Sequence, residues 1–388
     1  MQEDFHYYAT YCAACIAGYS HEDCLAIAYS ANYVDLCTKS ALSRIGAPQE
    51  AATTQSMMEL ADSRTDILGL QDITRIWASF HFLPKDLYAD VNKGYRRYKE
   101  KYRMICGPDS VLLEETVRLA KGKSLQAAGV AMHVLADTWA HMNFAGTPSL
   151  VINNINDQVF ELLAEGDSFK EVKIAFKHSP GAADDPEKGL YNSSIFQIGE
   201  TSIMNLGHGR IGHLPDYSYI RYKYMPAWGD YRMIEKDNPS DYYKAFCQMI
   251  FALKYLKGDN PSFEKGKYDF DAAQPYKERI DRILRKRQVI ACEDWKAFGR
   301  ELSGREIPAF DDNSFDEEYK NAPEDSKDDT FLGKFILAAL AQKSMVTNKI
   351  YSSGSRLAGV SIRFNENGLK GIKAYHKLAM ARKEGRKK

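Results

Sequence analysis

The sequence predicts a mainly α-helical fold, a multi-helix domain of one chain that includes a long ordered loop region. Three observations support this class. Apolar residues recur at three- and four-residue spacing over most of the chain, as on one face of a helix. Residues that begin or end helices stand at the boundaries of these segments. Alternating strand patterns are scarce, and weak ones occur only at residues 346–352 and 359–364.

The predicted helices follow one another from the N-terminus. The first covers residues 5–17 and ends before Gly18, a residue suited to the left-handed conformation that often follows a helix. Ser20 begins a capping-box pattern, which predicts a second helix to about Asp35. Ser124 is an N-cap candidate for the longest run. The remaining predicted helices cover residues 111–120, 125–144, 150–164, 241–256, 277–287, 293–302, 330–346 and 369–384.

Two segments interrupt the helical pattern. Residues 178–238 are rich in Gly, Pro, Tyr and Asp, and their many aromatic residues predict an ordered loop that covers the helices. Residues 310–329 carry a dense acidic cluster, which is typical of a solvated linker. We therefore expect a helical metal-binding domain over residues 1–260 and a helical extension over residues 261–388 that packs on it.

Composition and charge limit the partners that we expect. The 52 Lys and Arg residues balance the 52 Asp and Glu residues, so nucleic acid or an anionic membrane is not an obligatory partner. No run approaches the roughly 20 apolar residues of a membrane helix, which predicts no membrane insertion. The first residues lack the basic start and apolar middle of a secretory signal, so we expect a cytoplasmic protein. The sequence does not indicate an oligomeric state.

The seven cysteines are predicted to be thiols of a reducing compartment, because most lie in apolar helical sequence. One pair, Cys12 and Cys15, has the CxxC spacing of redox or zinc sites. A redox CxxC usually follows a strand, whereas this pair lies within the first predicted helix. A second CxxC is also missing. Core packing is therefore the favoured interpretation of this pair.

The most informative motif is the helical run His133-Val-Leu-Ala-Asp137-Thr-Trp-Ala-His141. Residues four and eight positions apart on an α-helix are displaced by about 40° and 80°, so these three side chains share one face. Burying them unpaired would be costly, and a metal ion removes that cost. The alternative is a pair of core histidines bonded to one aspartate. Trp139 lies about 200° around the helix from Asp137, so it and Phe144 are predicted core residues.

Three further ligand candidates precede the central helix motif in the chain. His6 stands at the start of the first helix, Asp35 ends the second, and His81 lies between two phenylalanines. Each has a plain alternative interpretation, as a half-exposed helix-start residue, a polar helix end and a packed imidazole respectively. Because the central helix motif already offers three ligand-type side chains, these residues are predicted to join the same metal site.

The long loop adds the segment Gly207-His208-Gly-Arg-Ile-Gly-His213-Leu-Pro-Asp216. Glycines beside both histidines allow sharp turns and close backbone approach. The proline fixes the chain just before Asp216. His208, His213 and Asp216 are therefore further ligand candidates.

Together these motifs resemble a bacterial protein family of unassigned function. The matching segments are Asp4-Phe-His6, Tyr33-Val-Asp35, His81-Phe82, the run from Met132 to Phe144 and the loop segment from Gly207 to Asp216. The order of the ligands also resembles, more distantly, the superfamily of zinc-dependent phospholipases C and fungal single-strand nucleases. The resemblance covers about residues 1–230, and the helix motif is its most specific part.

In that superfamily, a mainly helical fold holds three zinc ions that activate water against phosphate esters. The resemblance implies one metal at His81, His133 and Asp137, a second at His141 with one or more of His208, His213 and Asp216, and a third at His6 and Asp137. It implies that Asp35 is a ligand or the base beside the nucleophilic water. The superfamily also uses an N-terminal tryptophan as a ligand, whereas here Met1 to Phe5 precede the first histidine. One or two ions, or Asp4 as a substitute ligand, are equally compatible.

The sequence thus predicts a metal-dependent hydrolase that acts on a small-molecule or other phosphate-ester substrate through metal-activated water. Mixed imidazole and carboxylate ligands suit zinc best, and manganese or iron would also fit. Arg210 and the loop tyrosines could contact a phosphate or stack on a base, although packing or surface charge is the commoner role of such residues. The alternative is a non-catalytic protein with a structural metal site. An HD-type phosphohydrolase would need adjacent His and Asp on a helix, which this sequence lacks.

Overall fold

The computed structural model describes residues 1–91, 96–177, 184–191, 202 and 205–359. About 52% of these described residues are helical and about 9% lie in strands, with a four-stranded antiparallel sheet. The fold is therefore mixed α/β, and the prediction of a mainly α-helical fold of the phospholipase C type is wrong. The predicted strand beyond residue 359 and the predicted helix at 369–384 lie outside the described residues.

Most of the predicted helices are present, and several short ones were not foreseen. A π-helical segment, Asp4–Ala9, runs directly into the first α-helix. The α-helices of the described residues are α1 (Thr10–Ile16), α2 (His21–Tyr33), α3 (Lys39–Arg44), α4 (Met57–Ser63), α5 (Ile67–Phe80), α6 (Arg96–Tyr102), α7 (Val111–Ala120), α8 (Leu125–Ala140), α9 (Leu150–Asn153), α10 (Asn238–Lys257), α11 (Phe270–Ala273), α12 (Lys277–Arg285), α13 (Cys292–Ser303), α14 (Asp316–Asn321) and α15 (Phe331–Ser352).

Serine residues are the N-caps of α2 and α8, as the sequence predicted. Ser20 accepts a hydrogen bond from the amide of Asp23 at the start of α2. Ser124 does the same for the amide of Ala127 at the start of α8. Each bond satisfies one of the backbone donors that a helix N-terminus leaves without a partner. The two predicted N-caps are therefore confirmed.

The strands of the sheet are β1 (Phe160–Glu165), β2 (Ser168–Lys173), β5 (Arg221–Tyr224) and β6 (Ile234–Asp237), paired antiparallel in the order β2-β1-β5-β6. Three strands of the sheet lie where the sequence predicted other structure: β1 in a predicted helix, and β5 and β6 in the predicted loop. Two further short strands, β3 (Phe176–Lys177) and β4 (Leu190–Tyr191), pair in parallel. The long loop predicted at residues 178–238 therefore contributes three of the strands.

The predicted helix at residues 150–164 is the clearest error. Only α9 forms there, because the following Asn-Asn-Ile-Asn-Asp segment favours turns over helix. β1 then pairs with β2 across a two-residue turn, with Glu165 opposite Ser168. Gly166 takes a positive φ of 61° in this turn, which suits a hairpin. Pairing across the hairpin outweighs the helix propensity of the Glu, Leu and Ala residues in β1.

The second error concerns residues 346–352, where a weak strand was predicted. These residues form the last turns of α15. Val346 and Ile350 are both fully buried and stand four positions apart, so they belong to the apolar face of a helix. A short apolar run is compatible with both a buried strand and a buried helix, so the sequence alone does not distinguish them.

Helix α8 lies at the centre of the molecule and is buried along almost its whole length. It packs against α2, α10, α7 and α15. The main hydrophobic cluster around it includes Phe5 from the N-terminal segment and Trp295 and Phe335 from the C-terminal part of the chain. A second cluster, which includes Phe82, Phe144 and the tyrosines of β5, lies beside the sheet. Among the described residues, no helix is long and apolar enough to span a bilayer.

Candidate metal centre

The structure brings the nine predicted site residues into one connected cluster. The π-helical segment carries His6, the turn after α2 carries Asp35, and His81 follows the last turn of α5. His133 and Asp137 project from α8, and His141 is its C-cap residue. The remaining members are His208, His213 and Asp216, of which Asp216 ends a 3₁₀ turn, Leu214–Asp216.

Asp137 is the centre of one half of the cluster. One carboxylate oxygen, Oδ1, lies 3.1 Å from Nε2 of His6. The other, Oδ2, lies 3.1 Å from Nε2 of His133 and 3.2 Å from Nδ1 of His81. Asp35 approaches the same rings, with oxygens 3.8 Å from Nε2 of His6 and 3.6 Å from Nδ1 of His81. The two carboxylates therefore face the same three imidazoles.

Asp216 is the centre of the other half. Its Oδ1 lies 3.0 Å from Nε2 of His141. Its Oδ2 lies 3.0 Å from Nδ1 of His213 and 3.6 Å from Nε2 of His208. His213 is the most exposed member, with a side chain 51% exposed, so it lies at the edge of the cluster.

The backbone amino group of Met1 lies between the two halves, which the sequence analysis did not foresee. Its nitrogen is 2.8 Å from Oδ1 of Asp137, 3.1 Å from Oδ1 of Asp216 and 3.1 Å from Nε2 of His141. Burial alone would lower the pKa of this amine, but Asp137, Asp216 and Asp35 raise it to about 11. A backbone group leaves no signal in the residue pattern, so only the tertiary fold reveals it.

Asp4, considered as a substitute ligand, holds backbone amides instead. Its carboxylate accepts hydrogen bonds from the amide of Phe5 at 2.8 Å and from that of Ala291 at 2.9 Å. Burial raises the pKa of Asp4 to about 6, although these amides oppose the shift. Its role in the structure is to join the N-terminal segment to the start of α13.

The histidines are oriented by backbone carbonyl groups. Four of them place their second ring nitrogen within hydrogen-bond distance of a carbonyl oxygen: His133 Nδ1 at 2.8 Å from Ala31, His141 Nδ1 at 2.8 Å from His81, His208 Nδ1 at 2.7 Å from Gly212 and His81 Nε2 at 3.0 Å from Thr53. A neutral imidazole carries a single N–H group. When that group donates to a carbonyl, the other nitrogen presents a lone pair to the site. Metal-binding histidines in proteins commonly have this arrangement.

The charges of the cluster favour a bound cation. Burial lowers the pKa of His6, His133 and His208 to about 4 in each case, so these rings are neutral near pH 7. The pKa of Asp137 is held well below its usual value despite burial, chiefly by His141 and the Met1 amine. Neutral His133, whose Nδ1 donates to Ala31, turns the lone pair of Nε2 toward the ionised Asp137 carboxylate at 3.1 Å, which is repulsive unless positive charge compensates it. The Met1 ammonium, 2.8 Å from Asp137, supplies one such charge, and a metal ion would supply a larger one.

Three groups of side chains could each hold a metal ion. They are His6 with His133 and Asp137, Asp35 with His81 and His133, and His141 with His208 and Asp216. In each group, the ligand atoms lie within 4.8 Å of one another. His133 belongs to the first two groups, so these adjoin. Nitrogen and oxygen ligands of this kind are compatible with several divalent transition metals, and they do not by themselves select one.

The loop that carries His208 is fixed by Asn153. The side-chain amide of Asn153 donates to the carbonyl of Ala145 at 3.1 Å and to that of Asn205 at 2.6 Å. The amide of Gly207 also donates to the carbonyl of Ala145, at 3.1 Å. The segment after α8 and the loop before His208 are thereby joined, which sets the distance between His141 and His208.

Arg210 and the tyrosines of the long loop contact other parts of the protein. Nε of Arg210 donates to Oδ1 of Asn154 at 2.9 Å. Tyr217, Tyr219, Tyr222 and Tyr224 are all members of the second hydrophobic cluster. The structure therefore gives Arg210 and the tyrosines roles within the protein, and packing is the better interpretation of these residues.

Comparison with known proteins identifies a family but no activity. A family described as a family of unknown function, DUF6765, matches residues 1–350. No curated protein and no solved structure matches the chain. The comparisons therefore contain no link to the phospholipase C and nuclease superfamily.

Proposed function

The chain belongs to the family DUF6765, and from the geometry of its His/Asp cluster we propose that it is a metal-dependent hydrolase of phosphate esters. The observation that carries the proposal is the orientation of the histidines. Four imidazoles give one nitrogen to a backbone carbonyl and turn the other toward buried carboxylates. Burial lowers the pKa of His133 and His208 to about 4, so the free lone pairs of these neutral rings repel the carboxylates, whereas metal ions would make the contacts favourable.

The nine residues have distinct proposed roles. His6, His81, His133, His141 and His208, with Asp137 and Asp216, are the proposed ligands, and His213 supports Asp216 from the edge of the cluster. Asp137 offers separate oxygens to His6 and to His133, so it is suited to bridge two ions. Zinc is the proposed metal because imidazole and carboxylate ligands suit it, with manganese and iron as alternatives.

Asp35 is the proposed general base. Its side chain is 35% exposed, whereas those of Asp137 and Asp216 are 1% and 6% exposed. Asp35 is thus the one carboxylate of the three that faces both the imidazoles and solvent. Metal ions lower the pKa of bound water and stabilise the charge on phosphate oxygens. A carboxylate at this position can accept the proton of an attacking water molecule.

Two arguments support phosphate esters as the substrate class. The Asp137 carboxylate faces His6 with one oxygen and both His81 and His133 with the other, which suits two neighbouring ions, an arrangement common in enzymes that displace groups at phosphorus. The order of the ligands along the chain also resembles that of the phospholipase C and nuclease superfamily. A structural metal site is the competing function, and it is favoured by the burial of most cluster members. Structural zinc sites are closed by four protein ligands, whereas catalytic sites leave a position for water.

The test is a panel of substrates assayed with zinc, manganese or iron. It includes p-nitrophenyl phosphate, bis-p-nitrophenyl phosphate, single-stranded DNA and phosphatidylcholine vesicles. We expect slow turnover of at least one ester, lost on chelation and restored by metal. Asp35→Asn should lower turnover by about a hundredfold or more and leave most of the metal bound.

The matched control is Asp157→Asn, the same substitution at a side chain that is 88% exposed and belongs to none of the ligand groups. It should leave both turnover and metal content unchanged. Absence of turnover across the panel, together with ions closed by four protein ligands, would favour the structural role.

A further inference from the structure

Cys15 and Cys24 form a close pair of thiols in the helix pair α1–α2. Their sulfur atoms lie 3.3 Å apart. All seven cysteines are free thiols, and most are buried as the sequence predicted, but Cys15 is partly exposed. A buried thiol and a partly exposed thiol in contact differ from the core cysteines elsewhere in the chain.

The pair is not the CxxC pair of the sequence. Cys12 is fully buried, and its sulfur donates to the carbonyl of Trp295 at 3.6 Å. Core packing is therefore confirmed for Cys12. Cys15 lies one turn further along the same helix and contacts Cys24 in the first turn of α2.

The two thiols lie near the junction of α1 and α2, whereas His6 and Asp35 of the metal centre lie beyond the far ends of these helices. His6 precedes Cys15 by nine positions, and Asp35 follows Cys24 by eleven. At about 1.5 Å per residue, each separation is on the order of 15 Å along the chain direction. None of the three ligand groups contains a cysteine. Chemistry at the thiols is therefore separable from metal binding.

The surroundings of the two sulfurs differ in a way that assigns their roles. The contact with Cys24 lowers the pKa of Cys15, although burial opposes this. The same contact with Cys15, together with burial, raises the pKa of Cys24. Cys15 is the more exposed of the two, so a small disulfide can reach its sulfur, and Cys24 lies buried beside it.

We propose that Cys15 and Cys24 are a redox-active dithiol, which a low-molecular-weight disulfide oxidises to an intramolecular disulfide. Formation of a bond of about 2.05 Å requires the sulfurs to approach by about 1 Å, which a side-chain rotation can provide. The product would join α1 to α2 covalently, and these helices lead to His6 and Asp35.

The reaction has two exchange steps. The Cys15 thiolate attacks one sulfur of the small disulfide, forms a mixed disulfide and displaces a thiolate, which takes up a proton. Cys24, after losing its proton, attacks the sulfur of Cys15 and displaces the second thiol. Two protein thiols are oxidised, and one small disulfide is reduced to two thiols.

The test uses the full chain, reduced, freed of reductant and incubated with glutathione disulfide. Peptide mass spectrometry after alkylation should show Cys15 linked to Cys24, with loss of two of the seven free thiols. Dithiothreitol should restore both. Cys24→Ser should stop at a glutathione adduct on Cys15, and Cys15→Ser should form neither product.

Cys12→Ser is the matched control and should form the disulfide as the wild-type protein does. A link between Cys12 and Cys15, a lasting glutathione adduct on wild-type Cys15, or retention of all seven thiols would each overturn the proposal. Thermal melting shows whether each variant is folded. If Cys15→Ser is not folded, Cys15→Ala takes its place in the test. Metal content measured in the same samples reports on the metal centre independently.

Discussion

The Nδ1 atom of His133 lies 2.8 Å from the carbonyl oxygen of Ala31, so α8 and α2 are joined at this proposed ligand. The contact depends on Gly129, one turn earlier on α8. A Cβ atom there would lie 2.4 Å from the carbonyl oxygen of Ile27 on α2. The missing side chain lets the two helices approach closely enough for Ala31 to orient the imidazole toward Asp137.

The first prediction follows from this approach. Gly129→Ala should force α2 and α8 apart and lengthen the bond between His133 and Ala31. Overpacking of this kind costs about 1 to 3 kcal/mol of the free energy of unfolding, and metal affinity should fall with it. Urea unfolding and metal titration measure the two effects. If Gly129→Ala lowered the unfolding free energy but bound metal as tightly as the wild type, the contact with Ala31 would not be needed to hold His133 in place.

The second prediction concerns the metal itself. Purified protein should carry at least one transition metal ion per chain, and Asp137→Asn should weaken binding by about a hundredfold or more, since even groups that only support a ligand contribute up to that factor. His21→Ala is the control, because His21 bonds to Tyr11 at 2.6 Å and belongs to none of the ligand groups. Elemental analysis gives the metal content. Metal-free protein that also fails to bind added zinc or manganese would contradict the site.

The third prediction concerns Trp139, which was predicted to be core and is 4% exposed. Its indole nitrogen donates to Oε1 of Gln248 at 2.8 Å. Trp139→Ala should cost about 3 to 5 kcal/mol in unfolding free energy. Trp139→Phe should cost about 1 to 3 kcal/mol, because Gln248 would lose its donor. Both variants should keep the metal, and lost turnover with unchanged stability would contradict the core assignment.

The fourth prediction concerns Lys343 on α15, whose ammonium donates to the carbonyl of Ala52 at 2.6 Å. Burial lowers its pKa from 10.5 to about 8. Between these values the unfolded chain binds the proton and the folded protein does not, so stability rises with pH. The unfolding free energy of the wild type relative to Lys343→Met should therefore increase by about 2 to 3 kcal/mol from about pH 7.5 to about pH 10.5. A pH-independent difference would show that Lys343 keeps its ordinary pKa.

The sequence could predict the part of the site that lies on one helix. His133, Asp137 and His141 are related by helical spacing alone, and Ser20 and Ser124 mark where their helices begin. Residue types also indicated the ligand candidates of the loop, because a glycine stands next to each of its two histidines. Residue spacing was sufficient in these cases because the residues of each motif lie within a few turns of one helix or within one short loop.

The rest depended on contacts between distant segments. β1 has helix-forming residues, and only its pairing with β2 and β5 makes it a strand. The Met1 amine and the pair of Cys15 with Cys24 leave no local pattern, because helix packing brings them together. The sheet and these two features therefore could not be predicted from residue spacing.

The last prediction concerns Gly207, which precedes His208 and has a φ of +54°. A Cβ atom there would lie 2.2 Å from Cζ of Phe82. The Phe82 ring stacks on His141 at a centroid distance of 4.8 Å, so it cannot move without disturbing that ligand. Gly207→Ala should therefore weaken metal binding at His141, His208 and Asp216, and leave binding at the His6 and His133 group largely intact.

The matched control is Gly166→Ala in the β1–β2 turn. Gly166 has a φ of +61°, but a Cβ atom added there would meet no other atom within 4 Å, so its substitution introduces backbone strain without a steric clash. Each variant should lose about 1 to 2 kcal/mol of stability from the left-handed backbone, and only Gly207→Ala should also lose metal. Metal titration and urea unfolding of both proteins give the comparison. Equal metal content in the two variants would mean that the contact between Gly207 and Phe82 does not hold His141 in place. The group of His141, His208 and Asp216 would then need another support.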